Sequence, residues 1–146
     1  MTHNTHKTRI AFDTNIWISF TIGKRLETLR DVLLCEKFQI YICPQIIEEY
    51  LLVTMRPEIR KFITLKRISD TIELIETFAE NQPVKSKIIL SRDPDDNFLL
   101  AFSKDNKLGY LITGDKDLLV IGSFHNTRII SYSMFYDLYF KKENPL

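Results

Sequence analysis

Short apolar runs alternate with longer stretches of helical periodicity along this chain, and that alternation limits the folds open to it. Residues 9–12, 38–43, 85–90, 110–113 and 127–131 read as strands. In the first, Ile10, Ala11 and Phe12 are apolar on both faces, as a central parallel strand requires. Between the strands, apolar residues recur at helical spacing over residues 24–36, 44–55, 66–80 and 93–104. Residues 16–22 read as a short helix or turn ended by Gly23, residues 58–64 as a short helical stretch, and 118–121 as a turn. A final helix is expected over residues 133–140. Strand–helix alternation of this kind predicts a central, mostly parallel five-stranded sheet covered on both faces by helices.

The length, 146 residues, is that of one domain with one core, and the first eight residues read as a flexible tail. No run is long enough to span a membrane, and the polar N-terminus lacks a secretory signal's apolar segment. Cys35 and Cys43 have no metal-binding spacing and lie in apolar surroundings, so they read as reduced core thiols of a cytoplasmic protein. The formal net charge of +1 gives no global field for nucleic acid.

Acids gather where the expected strands end. Asp13 follows the first strand, Glu48 and Glu49 lie in the helix after the second, Asp93, Asp95 and Asp96 open the helix after the third, and Asp115 and Asp117 follow the fourth. In open α/β sheets, ligand chemistry collects at the carboxyl ends of strands. Glu48 and Glu49 separate by helix phase. Ile46, Ile47, Tyr50, Val53 and Thr54 define the inward face, which Glu49 flanks and Glu48 opposes. Asp93 fits an N-cap before Pro94, whereas helical angles do not choose between Asp95 and Asp96. Carboxylates crowded together repel one another unless a cation sits among them. With no Cys/His ligand set and no glycine-rich phosphate loop, such a cluster points to a hard divalent cation and metal-assisted phosphodiester hydrolysis. His125 stands alone in a late loop and receives no role.

Phe12-Asp13-Thr14-Asn15, residues 44–50 (PQIIEEY), residues 93–101 (DPDDNFLLA) and residues 111–119 (LITGDKDLL) together resemble the PIN domain family, over about residues 9–131. The branch they are similar to comprises the VapC-like toxin components of bacterial toxin–antitoxin systems. The resemblance implies a three-layer α/β/α fold and a Mg²⁺- or Mn²⁺-dependent ribonuclease, with an RNA substrate, a cognate antitoxin protein and a homodimer as partners. It places the family's catalytic acids on Asp13, Glu49, Asp96 and Asp115, with Asp13, Asp96 and Asp115 as metal ligands. Asn15 and Thr113 fall on supporting polar positions. Asp117 reads as an acid one step further from the metal, and Asp93 as a cap close to it.

For RNA contact, Arg56, Arg60, Lys61, Lys66 and Arg67 cluster after the Glu49 helix, Lys24 and Arg25 follow the Asp13 helix, and Lys116 adjoins Asp115. Trp17 reads as a core residue with base stacking as the alternative. Rival acidic-pocket folds fit less well. A haloacid-dehalogenase-like phosphatase needs a second acid where Asn15 stands, and a receiver domain needs paired acids after the first strand. A PIN fold that binds RNA or a partner without turnover is the non-enzymatic alternative.

Overall fold

A computed structural model describes residues 6–23, 26–90 and 93–141. Its centre is a six-stranded sheet in the order β3-β2-β1-β4-β6-β5. Strand β1 (Thr8–Phe12) lies in the middle, with β2 (Phe38–Ile42) on one side and β4 (Tyr110–Ile112) on the other. Strand β3 (Ala79–Asn81) extends the β2 edge, and β6 (Thr127–Ile130) extends the β4 edge. All these pairings are parallel. Among the described residues, only the two-residue β5 (Ser123–Phe124) runs antiparallel, against β6.

Helices occupy both faces. Phe38 and Tyr110 lie on one face and pack on Phe135 of the C-terminal helix, with ring centroids 5.0 and 5.4 Å apart. Arg9, one position out of phase, turns to the other face, where its guanidinium donates to the Asn106 carbonyl at 3.0 Å. The helices are α1 (Thr14–Ile22), α2 (Leu26–Leu34), α3 (Pro44–Thr54), α4 (Pro57–Arg60), α5 (Leu65–Phe78), α6 (Pro94–Asp105), α7 (Lys116–Ile121) and α8 (Tyr132–Phe140). None is long and apolar enough to cross a membrane among the described residues.

The core follows from the strand sequences. Ile10, Ala11 and Phe12 have no exposed surface. Phe12 meets Trp17 and Phe20 edge-on at 5.3 and 5.4 Å, which clamps α1 onto the end of β1. Trp17 is fully enclosed, so base stacking is not open to it. Gly23 closes α1 with φ 102°, a left-handed conformation that suits glycine. At Gly109 the need is space: a Cβ there would stand 2.6 Å from Thr8 Cγ2. Buried hydroxyls join three helices, because Thr21 Oγ1 lies 2.6 Å from Tyr50 Oη and 2.9 Å from Thr71 Oγ1.

The structure corrects several sequence expectations, first the strand count, which is six rather than five because the short β5 adds an antiparallel edge. No strand forms over residues 85–90. The Lys85 and Ser86 amides donate to the Asp105 carboxylate, and the Leu90 amide donates to Asn97 Oδ1. Side chains of α6 thus replace a neighbouring strand, and Ile89 is left 94% exposed. The third strand is instead Ala79–Asn81, directly after α5, and its pairing continues through the Gln82 amide to the Ile42 carbonyl. Residues 116–121 form a helix, where a polar loop running into a turn over 118–121 is expected. Of the expected tail, residues 1–5 lie outside the described residues, and Thr8 already belongs to β1. Cys35 and Cys43 are free thiols, the second buried and the first half-buried.

Candidate metal centre

The carboxyl ends of β1 and β4 lie side by side, and their first loop residues build the site. The Asp13 amide donates to the Ile112 carbonyl at 2.9 Å, continuing the ladder one step past the strand. Asp13 then caps α1. Its Oδ1 accepts from the Asn15 amide at 3.3 Å, and its Oδ2 accepts from Thr113 Oγ1 at 2.6 Å. The Thr113 hydroxyl also accepts from the Asp115 amide at 3.0 Å, so one buried hydroxyl ties Asp13 to the Asp115 loop. Asp115 caps α7 through the Asp117 amide at 2.8 Å. Burial raises the Asp13 pKa above the ordinary carboxylate value. Bonds from Thr113 and Asn15 oppose that rise, and the nearby Asp115 charge adds to it.

Asp96 enters from α6. Asp93 caps that helix by accepting from the Asp95 amide at 2.9 Å, and Pro94 begins it. Asp96 therefore sits in the first turn, turned inward and buried, whereas Asp95 is exposed. Carboxylate oxygens of Asp96, Asp115 and Asp117 lie within 4.8 Å of one another. This donor set is all oxygen and all anionic, so its members repel unless a cation joins them. It fits a hard divalent cation of the Mg²⁺ class rather than zinc. Asp13 stands beside this trio, linked to it through Thr113.

Glu49 approaches from α3. It is half-buried and Glu48 is exposed, as their helical phases require. Burial foremost pushes the Glu49 pKa up, and Asp95 and Asp13 push it further. A hydrogen bond from Thr14 and the charge of Arg56 pull it back. Asp96, Asp115 and Asp117 thus form one close group, with Asp13 tied to it through Thr113 and Glu49 within electrostatic reach of Asp13 and Asp95.

Sequence alone places Asp117 one step outside the central acids, does not choose between Asp95 and Asp96 by helical angle, and gives Thr14 no role, whereas the structure sets Asp117 beside Asp96 and Asp115 and brings Asp95 and Thr14 to bear on Glu49. Helix phase hides Asp117, because the α7 first turn folds it back toward Asp115 only once that helix exists. Asn15 is exposed and contributes its amide to Asp13.

Of the basic candidates, Arg60 donates to the Ile63 carbonyl at 2.6 Å. Lys61 lies over the Phe62 ring, and Lys66 pairs with Asp70 at 3.1 Å. Arg67 donates to the Thr21 and Ile22 carbonyls, closing the α1 end. Lys116 is exposed, and Lys24 and Arg25 lie outside the described residues.

Comparison with known proteins agrees with this architecture. An uncharacterized protein of Methanocaldococcus jannaschii, MJ1680, is 29% identical over 122 residues, spanning 77% of this chain and 74% of that one. A solved domain of a functionally unknown protein from the same organism superposes with a TM-score of 0.52 at 15% identity, over 95% of this chain and 97% of that one. The PIN domain endonuclease Utp24 gives a TM-score of 0.46 at 15% identity, over 74% of this chain and 71% of that one. The PIN domain family matches residues 9–117, which hold all but the first residue of β1, the whole of β4 and every acid of the site, and the chain belongs to that family.

Proposed function

We propose that this protein is a divalent-metal-dependent ribonuclease. The observation that carries the reading is the convergence of Asp96, Asp115 and Asp117 oxygens within 4.8 Å, beside the buried Asp13. Asp96, Asp115 and Asp117 would hold Mg²⁺ or Mn²⁺, and Asp13 would contribute from the adjoining strand end. When bound, such an ion supplies an activated water and neutralises charge on the phosphate. Thr113 fixes the Asp13 carboxylate by donating to Oδ2, which leaves Oδ1 turned toward the α1 start. Glu49, within electrostatic reach of Asp13 and Asp95, orients the attacking water and takes up the proton that the water loses. Asp93 and Thr64 cap α6 and α5.

Metal removal is the direct test. Cleavage of single-stranded RNA is expected to stop in EDTA and return with excess Mg²⁺. Because Mg²⁺ binds the native state, it is also expected to raise the melting temperature, by the equivalent of about 2.7 kcal/mol at a hundredfold excess over Kd. Undiminished cleavage in EDTA, with no Mg²⁺ effect on melting, refutes the reading.

The two glutamates of α3 give an internal control. Glu49→Gln is expected to slow cleavage by about 100-fold or more, in the range of a lost general base. Glu48→Gln, on the exposed side, is expected to stay within about twofold, as surface changes do. Equal losses in two well-folded variants would show that α3 does not present Glu49 to the reaction.

The four sequence blocks support a finer reading as the toxin of a toxin–antitoxin pair. A small protein encoded beside this gene that binds the chain and blocks cleavage would support it.

A further inference from the structure

We propose that Arg56 is a phosphate-binding residue that grips the RNA backbone next to the scissile bond. This inference rests on the ribonuclease reading and adds the contact by which the strand is held.

An acid cluster repels RNA everywhere except at the bound ion, so the neighbouring phosphates need a cation of their own. Arg56 stands in the connection between α3 and α4 with its backbone fixed on both sides. Its amide donates to the Val53 carbonyl at 3.1 Å, and its carbonyl accepts from the Ile59 and Arg60 amides at 2.9 and 2.8 Å. Pro57 follows and begins α4. The backbone is thus hydrogen-bonded through both its amide and its carbonyl, while the side chain is exposed.

The other arginines and lysines of this region are engaged elsewhere. Arg60 and Arg67 hold backbone carbonyls, Lys66 holds Asp70, and Lys61 covers Phe62. Arg56 follows Glu49 by seven positions, about two helical turns. Its charge acts on the Glu49 carboxyl and draws that pKa down against burial and the aspartates. A guanidinium within electrostatic reach of a site acid, on a fixed backbone and open to solvent, presents a planar fork suited to phosphate oxygens.

The experiment measures binding of a fluorescein-labelled single-stranded oligouridylate by anisotropy, as a function of salt. The full chain carries Asp96→Asn so that the RNA survives. Adding Arg56→Ala is expected to weaken binding about tenfold, in the range of a charge-assisted hydrogen bond. The slope of log K against log salt is expected to become shallower by about 0.7, the single-strand value for one phosphate contact. Arg56→Lys is expected to keep the slope and recover part of the affinity, because the charge remains and the fork is lost. Lys37→Ala, at the amino end of β2 and away from the acids, provides the charge-matched control and is expected to keep the wild-type slope. In the cleaving protein, Arg56→Ala is expected to raise KM by a matching factor.

An unchanged slope in Arg56→Ala, or an equal loss in Lys37→Ala, overturns the proposal. RNA cleavage that persists with Arg56-independent binding refutes this inference alone. Arg56-dependent binding by a protein that never cleaves refutes the ribonuclease reading alone.

Discussion

Replacing Asp96 by asparagine is expected to cut RNA cleavage by more than about 100-fold, since even residues that merely support a metal ligand are worth 10–100-fold. The same change is expected to leave the metal-free protein as stable as the wild type, or more stable by about 0–2 kcal/mol. Asp96 is 3% exposed and its oxygens lie within 4.8 Å of those of Asp115 and Asp117. Two like charges at that separation repel by about 1–3 kcal/mol for effective dielectric constants between 80 and 20. Unfolding relieves this repulsion, so the native state bears it. Asparagine keeps the volume and removes the charge. The lost interaction with the α6 dipole opposes the gain by about 0.3–1 kcal/mol. Thermal melts of both proteins, in EDTA and in Mg²⁺, check both halves of the prediction. A mutant that is markedly destabilised in EDTA and gains from Mg²⁺ as the wild type does would reduce Asp96 to a structural cap.

Phe12→Ala is expected to destabilise the fold by about 3–5 kcal/mol, the usual loss for a buried aromatic. The Phe12 ring has no exposed surface and touches Trp17, Phe20 and Tyr132. Alanine would leave a cavity between β1, α1 and α8, where three aromatic partners have little room to collapse. Against a total stability of about 5–15 kcal/mol, that loss is large. The melting temperature is expected to fall by roughly 10–15 °C. Ile89→Ala supplies the comparison, because Ile89 is 94% exposed and surface changes stay within about 0.5 kcal/mol. Similar shifts for the two variants would contradict the packing described.

The contrast between Phe12 and Ile89 also marks where the sequence is legible. Ile10-Ala11-Phe12 and Leu111-Ile112 are apolar on both faces because they lie at the sheet centre, and burial there writes itself into composition. Ile88-Ile89-Leu90 has the same local character without a neighbour to pair with. Strand formation needs a partner, and no local pattern states whether one is present. Ala79-Glu80-Asn81 fails the opposite way. It continues the polarity of α5 and becomes a strand only because β2 offers an edge. The choice between Asp95 and Asp96 has the same origin. Both suit a helix start, and the packing of α6 on the sheet buries one and exposes the other. Helix phase did separate Glu48 from Glu49, because the α3 apolar face is continuous and fixes the rotation. Sequence alone does not set Arg56 apart from its neighbours, because the bonds that occupy Arg60, Lys66 and Arg67 depend on the fold.

The pairing of β1 with β4 has a consequence for the order in which the protein is made. Asp13 and Thr113 are 100 residues apart in the chain, and the hydroxyl that fixes the first acid is translated long after it. At about 5–20 residues per second, the ribosome needs roughly 5–20 s to cover that interval. Throughout it, β2 can pair with β1, while the other side of β1 has no neighbour and Asp13 has neither Thr113 nor Asp115 beside it. Closing so long a loop is entropically unfavourable and comes late in folding. The acids therefore come together only after β4 has left the exit tunnel, and a nascent chain carries its first acid past ribosomal RNA with the rest of the cluster still unmade.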